Sequence, residues 1–213
     1  MVSDGSFKDK FGTAAWVIEG RRADGRVEGQ CIIPGGPEDQ SAYRSELGGL
    51  YAIAAMVQVI CELHNIQEGS IEVACDGMNA LAQVGEADPI IRPNGAQYDI
   101  IAATQAKIKR TNIQWKMRHV MGHQDDTQGC TVMDRWETLN CMMDERAKQH
   151  WQHHSTRTTR VQEAVDGEPW AVWTGSSKIC GRLAAQVIEH VRGTQCKVYW
   201  DSKSRFQSGT TAL

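Results

Sequence analysis

The chain has 213 residues, enough for one domain of ordinary size with an appendage, or for two small ones. Its 41% hydrophobic and 23% charged content excludes a disordered or fibrous chain. A net charge of −3 excludes a protein that blankets phosphates with a uniformly basic surface, so nucleic-acid contacts would have to be local or helped by cations. The seven cysteines (31, 61, 75, 130, 141, 180, 196) are odd in number and never spaced CxxC, which predicts free thiols in a reducing compartment. The opening MVSDGSFKDK has no apolar signal-peptide stretch, and no apolar run approaches the roughly 20 residues that span a bilayer. The expectation is an intracellular protein, cytoplasmic or nuclear, not secreted and with no membrane partner.

In chain order, residues 13–19 (TAAWVIE) and 27–33 (VEGQCII) read as strands, joined through Asp24-Gly25, a hairpin signal. Only Met1, Val2 and Ser3 precede Asp4, so the first strand is expected to be barely present, with D-G-S at its end. After the loop PGGPEDQ, Leu47, Leu50, Ile53, Ala54, Val57 and Ile60 recur at helical spacing and predict a helix from Ser41 to about Leu63. IEVAC (71–75) is a strand ending at Asp76; 98–110 reads as an amphipathic helix, 112–120 as a strand and 133–151 as the last strong helix of this unit. The order β-β-α-β-α-β-α predicts an α/β layered domain over 1–154. Residues 155–213 are expected to be a linker and a small basic, aromatic C-terminal extension with a helix near 176–191. That part holds 8 Lys/Arg against 5 Asp/Glu, leaving 15 against 21 before it.

Four acids stand at positions where carboxylates are unusual. Asp4 opens D-G-S, where the plain alternative is a turn aspartate bonded to its own backbone. Glu46 heads the stripe 46, 50, 53, 57, 60 of an otherwise apolar helix face; a helix macrodipole explains an early acid, but not one turned toward the core. Asp76 follows a buried strand, where open α/β sheets place ligands. Asp144 shares a helical face with Asn140, the alternative being a solvated acid paired with Lys148 at i+4. Two such carboxylates about 4 Å apart repel by about 4 kcal/mol at an effective dielectric near 20, and a divalent cation reverses that sign. Hard oxygen donors select Mg²⁺ or Mn²⁺. His123, in the polar loop GHQDD, is a candidate proton carrier, and Asp125 and Asp126 are outer ligands or plain loop acids.

Taken together, D-G-S, the helix carrying Y-R-S-E-L, the strand ending in C-D, W-K-M-R-H-V-M-G-H and L-N-x-x-x-D-E-x-A-K resemble ribonuclease H. GHQDD with LNCMMDERAKQHW is most similar to the ribonuclease H domains of retroelement reverse transcriptases; the resemblance covers residues 1–151. It implies a ribonuclease H-like fold, a five-stranded mixed sheet flanked by helices, and hydrolysis of the RNA strand of an RNA–DNA hybrid. It implies Asp4, Glu46, Asp76 and Asp144 as ligands of two Mg²⁺ ions, with Mn²⁺ as a substitute, and His123 as a further catalytic residue. Ser6, Tyr43, Arg44 and Asn140 are its candidate substrate contacts, and a polymerase domain of the same polyprotein is the partner it points to.

The chain departs from the cellular members in having Ala42-Tyr43 for their paired Asn, Met78 for a Gln, and FKDKFGT for a Gly-rich loop. The rival readings are a catalytically weak nucleic-acid-binding or scaffolding module of a polyprotein, a DNA-directed enzyme of the same broad fold, and a nucleotide binder. No G-x-G-x-x-G or G-K-[ST] follows any strand, which speaks against the last. In the extension, Trp170, Trp173, Tyr199 and Trp200 interleave with Lys178, Arg182, Lys197 and Lys203, a pattern of single-strand binding or of a small aromatic core.

Overall fold

A computed structural model describes residues 1–20, 25–85, 95–122, 133–155, 164–166, 168, 171–174 and 177–207, without the side chains of 177, 200 and 202–207. Five strands form the central sheet: β1 (Val2–Lys8), β2 (Phe11–Glu19), β3 (Arg26–Ile32), β4 (Ser70–Cys75) and β5 (Gln114–His119). They lie in the order β3-β2-β1-β4-β5. β1 pairs antiparallel with β2, and β2 with β3, whereas β4 runs parallel to both β1 and β5. This is the mixed five-stranded sheet expected.

The first strand is longer than expected. Asp4 lies inside β1, opposite Ala15, and the strand runs on to Lys8. D-G-S reads locally as a turn, yet the turn comes at Asp9-Lys10, both left-handed (φ 52° and 59°). Two positive-φ residues give the turn twist that hairpins favour, without the Asn-Gly or Asp-Gly that usually marks it. The expected Asp24-Gly25 turn falls partly outside the described residues, although the strands it would join do pair.

Helices cover both faces. α1 (Ala42–Leu63) begins where the Ser41 hydroxyl accepts from the Arg44 amide at 3.0 Å, satisfying one of the amides a helix start leaves unpaired. It packs Leu47, Leu50, Ile53 and Val57 against the sheet. Leu47 and Ile53 are fully buried, each contributing about 1.5–3 kcal/mol. By length and mean hydropathy (1.4) α1 would also pass for a membrane span, contrary to the sequence expectation; half of its apolar window is instead buried inside the domain. α2 (Met78–Gly85) and α3 (Tyr98–Lys109) share this face. α2 has no counterpart in the sequence reading, because eight residues carry too little periodicity to register.

α4 (Arg135–His154) covers the other face, packing Leu139, Met143 and Ala147 over Val2, Ala15, Val17 and Ala74. Its start has a full capping box, with Asp134 and Glu137 each bonding the other's amide. Because side chains alternate along a strand, Val2 and Asp4 face α4 while Ser3 and Gly5 lie under α1.

Past residue 155, described residues of the extension pack onto the domain before it. Val165 joins the α1 side of the core, and Ile179 and Cys180 are buried. Tyr51 Oη donates to the Asp166 carbonyl (2.7 Å) and Tyr98 Oη to the Ile179 carbonyl (3.2 Å). In place of a helix over 176–191 there is a short hairpin, β6 (Trp173–Thr174) with β7 (Ser177–Lys178), and then α5 (Leu183–Gln207). The delay has a local cause. Gly181 lies against the Gly95 carbonyl, where a Cβ would come within 2.9 Å, and Arg182 takes φ 49°, so helix cannot begin before Leu183.

Candidate active site

The β1–β4 register sets up the site. Val2 pairs with Ala74, so two residues further along the parallel strands Asp4 comes level with Asp76, just past the end of β4. Glu46 arrives from the first turns of α1 and Asp144 from the middle of α4. Three glycines make room for this approach. A Cβ on Gly5 would meet the Ser45 and Glu46 backbone, one on Gly77 would strike Glu46 Oε2, and one on Gly122 would strike Asp76 Oδ2. No other residue fits these positions without moving a carboxylate or a helix.

The charges of these acids act on one another. Burial, then the charges of Asp76 and Asp144, push the Asp4 carboxyl up to about 8, with Glu46 adding to it and the Gly5 amide opposing. Burial and Asp76 push Glu46 up to about 7. Both are therefore poorly stabilised as anions at neutral pH, the mark of buried carboxyls with like charges beside them.

Individual contacts refine the picture. Asp4 Oδ1 accepts from the Gly5 amide (2.6 Å), and Oδ2 accepts from Asn140 Nδ2 (3.3 Å). Asn140 is buried, and its Oδ1 has no hydrogen-bond partner among the described residues. Asp144 Oδ2 accepts from Lys148 Nζ at 2.6 Å, the i+4 pairing that was the plain alternative for this residue. Among the described residues no group of three or more His, Cys, Asp or Glu side chains is placed to hold a metal ion. The acids are gathered but not clenched, with Asp144 turned onto Lys148. The donor set nonetheless fits a hard divalent cation, since it offers carboxylate oxygens, two of them poorly tolerated as free anions, and a buried orphan amide oxygen.

The remaining candidates divide. His123 and the acids Asp125 and Asp126 lie outside the described residues. Tyr43 is half-buried against the core, and its phenol is pushed up by burial and by Glu46. Ser6 is partly exposed on β1, and its carbonyl accepts from the Ser45 hydroxyl. Arg44 is no substrate contact. It is fully buried and forks onto Asp99 at 2.9 and 2.8 Å, so its donors are turned into the fold. Asn140, buried on Asp4, supports the site from inside and offers no surface for a substrate. The sequence reading passed over His119, whose Nε2 lies 3.0 Å from the Asp76 carbonyl, and Gly77 and Gly122. A glycine directly after Asp76 and another directly before His123 are the signals that were available.

No protein-family model and no curated protein matches the chain. Among solved structures it is similar to the N-terminal RNase H domain of a Mycobacterium tuberculosis protein, solved as a fusion with maltose-binding protein. That likeness has a TM-score of 0.45 and 13% identity, over 73% of this chain and 97% of that one. It is also similar to RNase H1 of the halophilic archaeon Halobacterium salinarum NRC-1, with a TM-score of 0.38 and 16% identity, over 70% of this chain and 96% of that one.

Proposed function

We propose that this chain is a ribonuclease H-type nuclease that hydrolyses the RNA strand of an RNA–DNA hybrid. The observation that carries the reading is the convergence of Asp4, Glu46 and Asp76 with Asp144 from four separate elements, at a spot where burial and neighbouring carboxylates disfavour the charges of Asp4 and Glu46. Asp4, Glu46, Asp76 and Asp144 are the residues that would hold two Mg²⁺ ions, with Mn²⁺ as a substitute. Such ions supply Lewis acidity at the phosphate and a hydroxide-like water nucleophile.

The protein's own groups do the rest. Asn140 fixes the plane of the Asp4 carboxylate, and the Gly5 amide fixes its other oxygen. His119 holds the backbone at Asp76, and the glycines at 77 and 122 keep side chains out of the space between the acids. His123 is assigned proton transfer to the leaving oxygen, and Tyr43 and Ser6 contact with the substrate backbone. The retroelement motifs support a place beside a polymerase domain of the same polyprotein and an intracellular setting.

The test uses labelled hybrid, duplex DNA and duplex RNA with Mg²⁺, on the wild-type chain and on Asp76→Asn. Cleavage of the hybrid's RNA strand by the wild type alone is expected. Equal cleavage by the variant, or none by either, rejects the assignment; binding of hybrid without cleavage selects the scaffolding alternative instead.

A further inference from the structure

Lys178 lies outside the carboxylate site, in the segment that the sequence assigned to an appendage, yet its side chain is wholly buried. Its Nζ stands 2.8 Å from Asp99 Oδ2 and 2.6 Å from Glu168 Oε2. Asp99 in turn takes both arms of the Arg44 fork. Arg44 also donates through Nε to the Pro34 carbonyl (2.7 Å) and through Nη1 to Gln97 Oε1, and Gln97 Nε2 donates to the Asp39 carbonyl (3.0 Å). A guanidinium held on so many sides has one position.

That position fixes Glu46. Arg44 sits in the first turn of α1, two residues before it. Between them Ser45 donates to the Ser6 carbonyl (3.2 Å), and the Gly5 backbone is packed against Ser45 and Glu46. The start of α1 is thus pinned to β1 on one side and to Asp99 on the other. The charges run Arg44 plus, Asp99 minus, Lys178 plus, Glu168 minus. Without Lys178, Asp99 and Glu168 would each lose an ammonium partner, and Glu168 already has one oxygen without a partner among the described residues.

We infer that Val165, Glu168 and Lys178 belong to a clamp in which Lys178, acting through Asp99 and Arg44, is a positioning residue for Glu46. Its catalytic consequence rests on the reading of Glu46 as a metal ligand; the positioning itself does not. The test compares the full chain with Lys178→Met, the charge-keeping Lys178→Arg and, as a control for lost stability, Val165→Ala, which thins the same segment's apolar contact.

Two readouts are taken. Amide exchange at Glu46, Leu47 and Gly48 should quicken about tenfold in Lys178→Met relative to Ile53 and Ala54 further along the helix. Mn²⁺ affinity, measured calorimetrically on the protein without nucleic acid, should fall about tenfold. Lys178→Arg should keep most of both, and Val165→Ala should lower the thermal midpoint without moving either. Should Lys178→Met not fold, Lys178→Met/Glu168→Gln removes the clamp while keeping the cluster's charge in balance, and the same exchange pattern is expected. An exchange pattern shared with Val165→Ala overturns the clamp. Wild-type protein that takes up no Mn²⁺ overturns the nuclease reading instead, while exchange still decides the clamp.

Discussion

Two charged clusters sit at the two ends of a short stretch of α1, and they are built on opposite principles. At Glu46 four carboxylates gather with little counter-charge, and burial and repulsion push Asp4 up to about 8 and Glu46 up to about 7. At Arg44 the signs alternate. There, burial alone would raise the Asp99 carboxyl, but Arg44 and Lys178 outweigh it and hold Asp99 below the ordinary carboxylate range. One cluster is destabilising as it stands and the other is satisfied. On the proposed reading, the first is a place arranged for chemistry and the second a place that holds it still.

The sharpest way to break this contrast is to remove one charge from each cluster. Asp76→Asn should lower hybrid cleavage by about a thousandfold, since losing a metal ligand removes several kcal/mol of transition-state stabilisation. Asp4→Asn should be as inactive, yet should raise the thermal midpoint in EDTA, because it deletes a repelled charge and keeps the amide bond at Gly5. Asp99→Ala should do the reverse to stability. Stranding Arg44 and Lys178 in the interior costs about 3–5 kcal/mol, or about 10 °C of thermal midpoint by calorimetry. If both aspartate replacements shift stability in the same direction, the clusters are not opposites.

Part of the carboxylate cluster was legible in sequence, at the two acids that stand beside an apolar pattern. Glu46 heads an apolar stripe and Asp76 ends a buried strand. The paired cluster was not legible. Arg44 finds Asp99 across 55 positions and Asp99 finds Lys178 across 79, and neither partner breaks its local pattern enough to betray the pairing. Arg44 consequently read as a surface contact, although it lies three residues before Leu47 on the buried face of α1. The sheet and three of its helices, α1, α3 and α4, follow from periodicity. The length of β1 does not, because Gly5 is there to admit α1 rather than to turn the chain, and that is a tertiary fact. The same holds for Val165 and Ile179, which only acquire meaning against α1 and α3.

A pH series in EDTA sharpens the contrast further. A carboxyl whose folded pKa is raised stabilises the fold fully below its unfolded value, and that stability is lost as pH rises through the folded value. For Asp4 and Glu46 the window runs from about 4 to about 8. The thermal midpoint should therefore drop by about 5–10 °C between pH 5 and pH 9, and 10 mM Mg²⁺ should recover most of it. Asp99 has the opposite sign. Its contribution is present above the unfolded value near 4 and is lost only as pH falls toward its depressed folded value. A midpoint that is flat from pH 5 to pH 9 would show that the raised carboxyls are not coupled to folding.

The smallest expected effect falls on Asp144, which has a counter-charge among the described residues. Lys148 holds Asp144 at 2.6 Å, with the lysine about half exposed and the carboxylate mostly shielded. An exposed i,i+4 pair contributes less than about 1 kcal/mol, so its loss should hardly move the thermal midpoint. A divalent ion, however, has to draw the Asp144 carboxylate away from that ammonium before all four acids can act as one ligand set. Lys148→Gln removes the competitor, and Mg²⁺ affinity measured by calorimetry should tighten about two- to fivefold, the equivalent of a surface ion pair. Weaker Mg²⁺ binding in Lys148→Gln would mean that the lysine orients Asp144 for the metal rather than competing with it.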